Sequence, residues 1–343
     1  VSIDRASLED AVATQATKSG FSGVVSIRQS DAELFGRAFG YADRAEQIAN
    51  TFDTRFQMAS GSKTFTAVAV CQLVGSGCFN FETPLHDCLD IEFPHFDPKI
   101  TIHHLLTHTS GIPDYFDEEL MDDFEALWLK RPCYSMCGPK DFLPMFQFGP
   151  MKLPPGKRFS YSNAGFIVLG LLIEQHSGMG FADYVCRNVL ERAGMNDSGY
   201  FAADRLPGLT ALSYIVEEDS WRTNIYAVPV IGQPDGGAYT TAPDMARFWS
   251  TLAEGRLLEP SLVERMLTAH ASVKDTDDTA HYGYGMWIKK QRDTLERFYA
   301  LGCDPGVTFI SAVFPQKDLL ATVIGNSDDA GWAMWDALEA HIR

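Results

Sequence analysis

Ser60 and Lys63 stand three residues apart in Ser60-Gly61-Ser62-Lys63, where a polar stretch gives way to an apolar run. Residues three apart share one face of a helix, so the Lys63 amine can reach the Ser60 hydroxyl. The first amides of such a helix are unpaired and carry partial positive charge. A serine so placed has a proton acceptor at hand and a field that favours a developing oxyanion, two requirements of an acyl-transfer nucleophile. The rival reading is an N-cap serine beside a solvated lysine. The residues that follow speak against it. Phe65, Ala67, Val68, Ala69, Val70 and Leu73 leave no polar face, which predicts a buried helix. Burial would push the Lys63 amine toward its neutral form, which can act as a base. A second cluster, Tyr161-Ser162-Asn163, places a phenol and an amide ahead of another apolar run. Its rival readings are a core aromatic and a helix cap. His103, His104 and His108, His86, Asp90 and His95, and the pair Cys133 and Cys137 look metal-like one at a time. None is completed by a second pair at ligand spacing, so neither a metal nor another cofactor is expected.

Taken together these elements resemble the penicillin-recognising serine hydrolases: class C β-lactamases, D-alanyl-D-alanine carboxypeptidases and related esterases. The likeness extends through Phe21–Val25, Phe39–Asp43, Ile102–Tyr115, Pro155-Gly156, Gly236–Arg247 and Tyr282–Trp287, in the family's order, over nearly the whole chain. The resemblance implies Ser60 as nucleophile and Lys63 as proton acceptor. It implies Tyr161 as a second base, relaying the proton to the leaving group through a phenol whose pKa Lys63 lowers. Asn163 would orient the acyl amide and hold Lys63.

The family's third element is normally Lys-x-Gly or His-x-Gly on an edge strand. Anchored on Pro305-Gly306 and Phe314-Pro315, it aligns with Ala300-Leu301-Gly302, so its cation is missing. Glycine is kept at Gly302, where a ligand must approach the backbone closely. The amides of Ser60 and Cys303 would form the oxyanion hole. Asp304, unless it is only an Asp-Pro turn, would repel an acidic substrate and attract an ammonium. Loss of a charge-assisted contact costs about 1.5–3 kcal/mol, roughly ten- to hundred-fold in affinity, so carboxylate-bearing β-lactams should be poor substrates. The expectation is an acyl-enzyme hydrolase of a small ester or amide, an esterase or a D-amino-acid peptidase. The alternative is a catalytically slow, penicillin-binding-like binding or sensing module, favoured by Ala300.

Composition narrows the partners. The chain has 343 residues and a net charge of −17, which argues against nucleic acid and anionic membrane surfaces; a small-molecule substrate is what the resemblance implies. The longest apolar run, 166–173, is too short to span a bilayer. Seven scattered cysteines, an odd number, read as reduced thiols. With no basic-then-apolar opening segment, the expected location is the cytoplasm.

The elements that must position these residues follow from periodicity. Residues 1–19 read as an amphipathic helix, 23–28 and 34–41 as strands, and the Ser60 helix runs to about Val74. Helices are expected at 101–108, 118–128, 139–147, 163–176, 181–192, 242–254, 259–268 and 328–341. Strands are expected at 282–290, 296–302, 307–314 and 319–325. Strands at both chain ends and helices between predict an α+β fold with one antiparallel sheet built from both termini. Residues 1–80 and 231–343 would form the sheet domain and 81–230 an inserted, mainly helical subdomain; the resemblance implies the same arrangement, with the site in the cleft between the two parts.

Overall fold

Among the described residues of this computed structural model (4–30, 32–218, 220–273, 279–292, 294–327 and 330–342), eight strands form one antiparallel sheet. Gly23–Gln29 lies between its hairpin partner Ala32–Phe39 and the late strand Leu319–Gly325. Beyond these follow Val307–Phe314, Thr294–Asp304, Trp287–Gln291, Ala280–Tyr282 and Ala271–Ser272. The fold is therefore α+β, with a sheet from both ends of the chain.

The strands are apolar on both faces because both faces are covered. Val25, Ile27, Ile310, Ala312, Ala321 and Val323 face the helices Arg5–Ser19 and Ala330–Ile342, which contribute Leu8, Val12, Met334, Trp335 and Leu338. The alternate residues Val24, Ala300, Phe309 and Ile324 join the larger core around the helix Lys63–Gly75. This is the period of two expected of strands. The first helix begins at Arg5, where Asp4 accepts from the amides of Ala6 and Ser7, and ends at Gly20 in the left-handed region.

Lys63–Gly75 is buried all round, from Lys63 through Cys71 and at Leu73. It packs against the equally apolar helix Asn163–Ser177. The expected strand 282–290 is broken. Gly283, Tyr284 and Gly285 leave the sheet and dip onto the central helix, where Thr64 Oγ1 donates to the Gly285 carbonyl at 2.8 Å. Gly285 has φ +69°, and a Cβ there would lie 2.4 Å from that of Ala67.

The expected helix 118–128 is also corrected. Only Leu127–Lys130 is helical. Asp117 Oδ1 takes the Glu119 amide and Asp123 Oδ1 takes the Ala126 amide, so aspartate side chains hold the backbone in turns instead. That loop lines one side of a cavity that also borders Ser60. Among the described residues no helix is long and apolar enough to cross a membrane.

Candidate active site

Ser60 lies in a tight 3₁₀ turn, Ala59–Ser62, that feeds the central helix. Ala59 is held at φ +44°, a strained value for a residue with a side chain. Three bonds fix it. The Ala59 carbonyl accepts from the Gly237 amide at 3.0 Å and from Ser62 Oγ at 3.0 Å, and the Met58 amide donates to the Ala238 carbonyl at 2.9 Å. The strand Thr294–Asp304 crosses directly over this turn. A Cβ on Gly302 would sit 2.2 Å from the Met58 carbonyl oxygen and 2.9 Å from the Ser60 nitrogen. Glycine is thus required at 302 by backbone approach, and Cys303 comes next to the Ser60 turn with its side chain exposed.

Lys63 is 1 % exposed, and its Nζ lies 2.9 Å from Ser60 Oγ, 2.8 Å from Asn163 Oδ1 and 2.5 Å from the Asp235 carbonyl oxygen. Burial lowers its pKa from the usual lysine value, opposed by the carboxylates of Asp235, Glu118, Asp304 and Asp114. Stripping an ammonium of water costs several kcal/mol, which favours the neutral amine. In that form Nζ has two hydrogens for Asn163 Oδ1 and the Asp235 carbonyl and a lone pair to present to the Ser60 hydroxyl.

Tyr161 is in hydrogen-bond contact with Ser60, and the Lys63 amine lies 4.9 Å from its ring centre. Its pKa moves opposite to the sequence-based expectation. Burial, followed by the charge of Glu118, raises it well above the ordinary phenol value. The phenol therefore keeps its proton at neutral pH.

Asn163 is the first residue of its helix and not the cap. The cap is Ser162, whose Oγ accepts from the Gly165 amide at 3.1 Å. Asp114 takes the amides of Asn163 and Ala164 at 2.7 and 3.1 Å, and burial still raises its carboxyl to about 7.

Asp235, Glu118, Tyr115 and Asp114 carry no role in the sequence reading. Asp235 is buried, and the Tyr115 hydroxyl donates to its carboxylate. Pro234-Asp235-Gly236 reads as a turn, and only the fold brings that turn beneath Lys63. Ala300, at the position of the missing cation, is 1 % exposed and belongs to the core on the same strand face as Gly302. The histidines are occupied elsewhere. His103 Nδ1 meets the Tyr284 hydroxyl at 2.8 Å, and His104 Nδ1 accepts from the Thr101 amide at 3.1 Å. Among the described residues no group of three His, Cys, Asp or Glu side chains is placed to hold a metal ion.

Ser60 and Asn163 open into a cavity of ≈ 710 Å³. Its walls combine aromatic and aliphatic groups, among them Phe116, Phe124, Ile215 and Tyr239, with the carboxylates of Glu118, Asp122, Asp123, Glu125, Asp235 and Asp304. Arg222 also lines it but is bound to Glu125 and Glu217. Burial raises Asp304 to about 7 and raises Glu118 and Asp235 too, each opposed by Lys63.

The sequence profile of the Beta-lactamase family matches residues 8–341. The chain belongs to the β-lactamase family. Within it, a penicillin-binding protein from Bacillus halodurans superposes with a TM-score of 0.91 at 49 % identity, covering 96 % of this chain and 99 % of that one. The esterase EstB of Burkholderia gladioli is 33 % identical over 217 residues, 59 % of this chain and 54 % of that protein. A D-aminopeptidase of Cereibacter sphaeroides is 26 % identical over 272 residues, 78 % of this chain and 49 % of that protein. The chain thus spans about half the length of these two curated relatives.

Proposed function

We propose that this member of the β-lactamase family is a serine hydrolase that forms an acyl-enzyme on Ser60 from a small ester or amide bearing a cationic group near the scissile carbonyl. The observation that carries this reading is the contact set of Ser60, Lys63, Tyr161 and Asn163, of which Ser60 and Asn163 line a cavity rich in carboxylates. Neutral Lys63 takes the Ser60 proton as Oγ attacks the carbonyl carbon. The amides of Ser60 and Cys303 receive the oxyanion. Tyr161, protonated at rest, gives its proton to the leaving group and is reprotonated from the Lys63 ammonium. Water then hydrolyses the acyl-serine by the reverse relay.

Asp304 and Glu118, ionised above their raised pKa values, supply negative charge for an ammonium. The buried, apolar Ala300 offers nothing to a carboxylate, which sets β-lactams and other acidic substrates at a disadvantage. Both the esterase and the D-aminopeptidase among the relatives are compatible with this chemistry. The test joins mass spectrometry and kinetics. After exposure to a nitrophenyl ester or a fluorophosphonate, Ser60 should carry the adduct, and a penicillin should label it more slowly. A D-aminoacyl anilide should be cleaved at least about tenfold faster than its N-acetyl form, the order expected for one charge-assisted contact. An unlabelled Ser60 would overturn the hydrolase reading, and preference for the N-acetyl or free-acid substrate would overturn the cationic one.

A further inference from the structure

We propose that His108 is the positioning residue of Tyr161, fixing the phenol over Ser60 as a neutral imidazole protonated on Nε2. The inference rests on the reading of Tyr161 as part of the proton relay.

One residue clamps both neighbours of Tyr161. The His108 carbonyl accepts from the Ser160 amide at 2.8 Å, and His108 Nδ1 accepts from the Ser162 amide at 3.0 Å. Between these anchors the imidazole lies against the phenol ring, with centres 4.3 Å apart and planes 34° from parallel. Phe166, Tyr282 and Phe159 enclose the remaining sides at 5.1, 4.6 and 5.6 Å. His108 is 0 % exposed and sits at φ +55°, a conformation that needs a reason in a residue with a side chain. The left-handed turn lets its carbonyl and its ring address the same segment.

Neighbouring bonds lace the two segments together. The Gly156 amide donates to the Thr109 carbonyl at 2.8 Å, and the Lys152 amide donates to the Gly111 carbonyl at 2.8 Å. The stretch from Thr107 to Gly111, prominent in sequence, thereby sets the height and tilt of Tyr161.

The tautomer follows from the bonds. Nδ1 accepts, so the ring proton is on Nε2, a buried atom with no hydrogen-bond partner among the described residues. Protonating Nδ1 would set two donors, its own N–H and the Ser162 amide, against each other. The titratable groups facing the ring are Tyr161, Tyr282 and, by its charge, Lys63. None supplies a carboxylate to hold an imidazolium. Burial, then Lys63, lowers the His108 pKa well below the usual histidine value.

Misplacing a reacting group by about 1 Å costs on the order of 100-fold in rate, with little effect on ground-state binding. His108→Leu removes the acceptor. His108→Asn keeps an acceptor in place of Nδ1 and tolerates the left-handed backbone. With a nitrophenyl ester, His108→Leu should lower kcat about 100-fold with KM within about threefold, and His108→Asn should recover at least tenfold of that loss. In a Tyr161→Phe background the leucine substitution should add little further loss. A loss undiminished in that background, or a rise in KM at constant kcat, would overturn the proposal. A second readout needs no activity: ¹⁵N-edited NMR of the wild type should show His108 as the Nε2–H tautomer, unchanged from pH 5 to 9. An Nδ1–H tautomer, or a titration in that range, would overturn it whatever substrate the protein uses.

Discussion

On the proposed reading, the Lys63 amine, shut away from water beside the Ser60 hydroxyl, serves as a base because burial disfavours its charge. Ser60→Ala should abolish turnover of activated esters, a loss of at least about 1000-fold, with the thermal midpoint within about 2 °C of wild type. Lys63→Ala and Tyr161→Phe should each cut kcat severely, and the double variant should lose little more, because residues acting as one relay are non-additive. Strictly multiplied losses would separate them. The activity must also fall as pH drops through the lowered pKa of Lys63, since the ammonium cannot accept a proton. Asp304 gives a different pH signature. Its carboxyl titrates at about 7 in the folded protein against an ordinary 3.8, so between those values the native state binds more protons than the unfolded chain. Its contribution to stability is complete below pH 4 and is lost as pH rises through 7. Asp304→Asn should match wild-type stability at pH 4 and exceed it at pH 8, the gap in urea midpoints widening as pH rises through 7. The same variant should lose the preference for cationic substrates. A stability gap that does not grow with pH would remove the argument for a destabilised carboxylate.

Elements decide which of these residues meet. The central helix is legible in sequence because Lys63 heads a run without a polar face, and the strands Val307–Phe314 and Leu319–Gly325 are legible because turns bound them. The loop after Tyr115 is not. Its spacing suits a helix, but Asp117 and Asp123 bond local amides and win the competition. Asp235 is invisible for another reason: a turn residue gains its position beneath Lys63 only when its loop packs on the central helix. The crossing of the strand Thr294–Asp304 over the Ser60 turn yields a sharp expectation. Gly302→Ala would drive a methyl into three backbone atoms, Met58 O, Gly61 N and Ser60 N, none of which can swing aside as a side chain would. The variant should be destabilised by about 2–3 kcal/mol and lose most of its activity even where it remains folded. A fully active Gly302→Ala enzyme would show that the two segments stand farther apart.

The molecule as a whole is strongly acidic, and its cavity shares that sign. A cationic substrate should therefore be drawn in at low salt. Raising ionic strength from about 0.02 to 0.3 M should lower its kcat/KM at least about twofold while leaving a neutral ester nearly unaffected. Equal responses would mean that the field is spread over the surface and not gathered at the site. The union of the two chain ends in one sheet has a consequence for biosynthesis. Gly23–Gln29 pairs with Leu319–Gly325, so the strand that emerges early has its central partner nearly 300 residues later. At about 5–20 residues per second the ribosome needs roughly 15–60 s to supply it. Through that interval Val25 and Ile27 lack the helix Ala330–Ile342, the strand Gly23–Gln29 lacks Leu319–Gly325 on its other edge, and the Ser60 turn lacks the strand that crosses it. A nascent chain halted before Val307 should thus be a substrate for chaperones and inert toward fluorophosphonates. Labelling competence should appear only after the strands Thr294–Asp304, Val307–Phe314 and Leu319–Gly325 have cleared the exit tunnel.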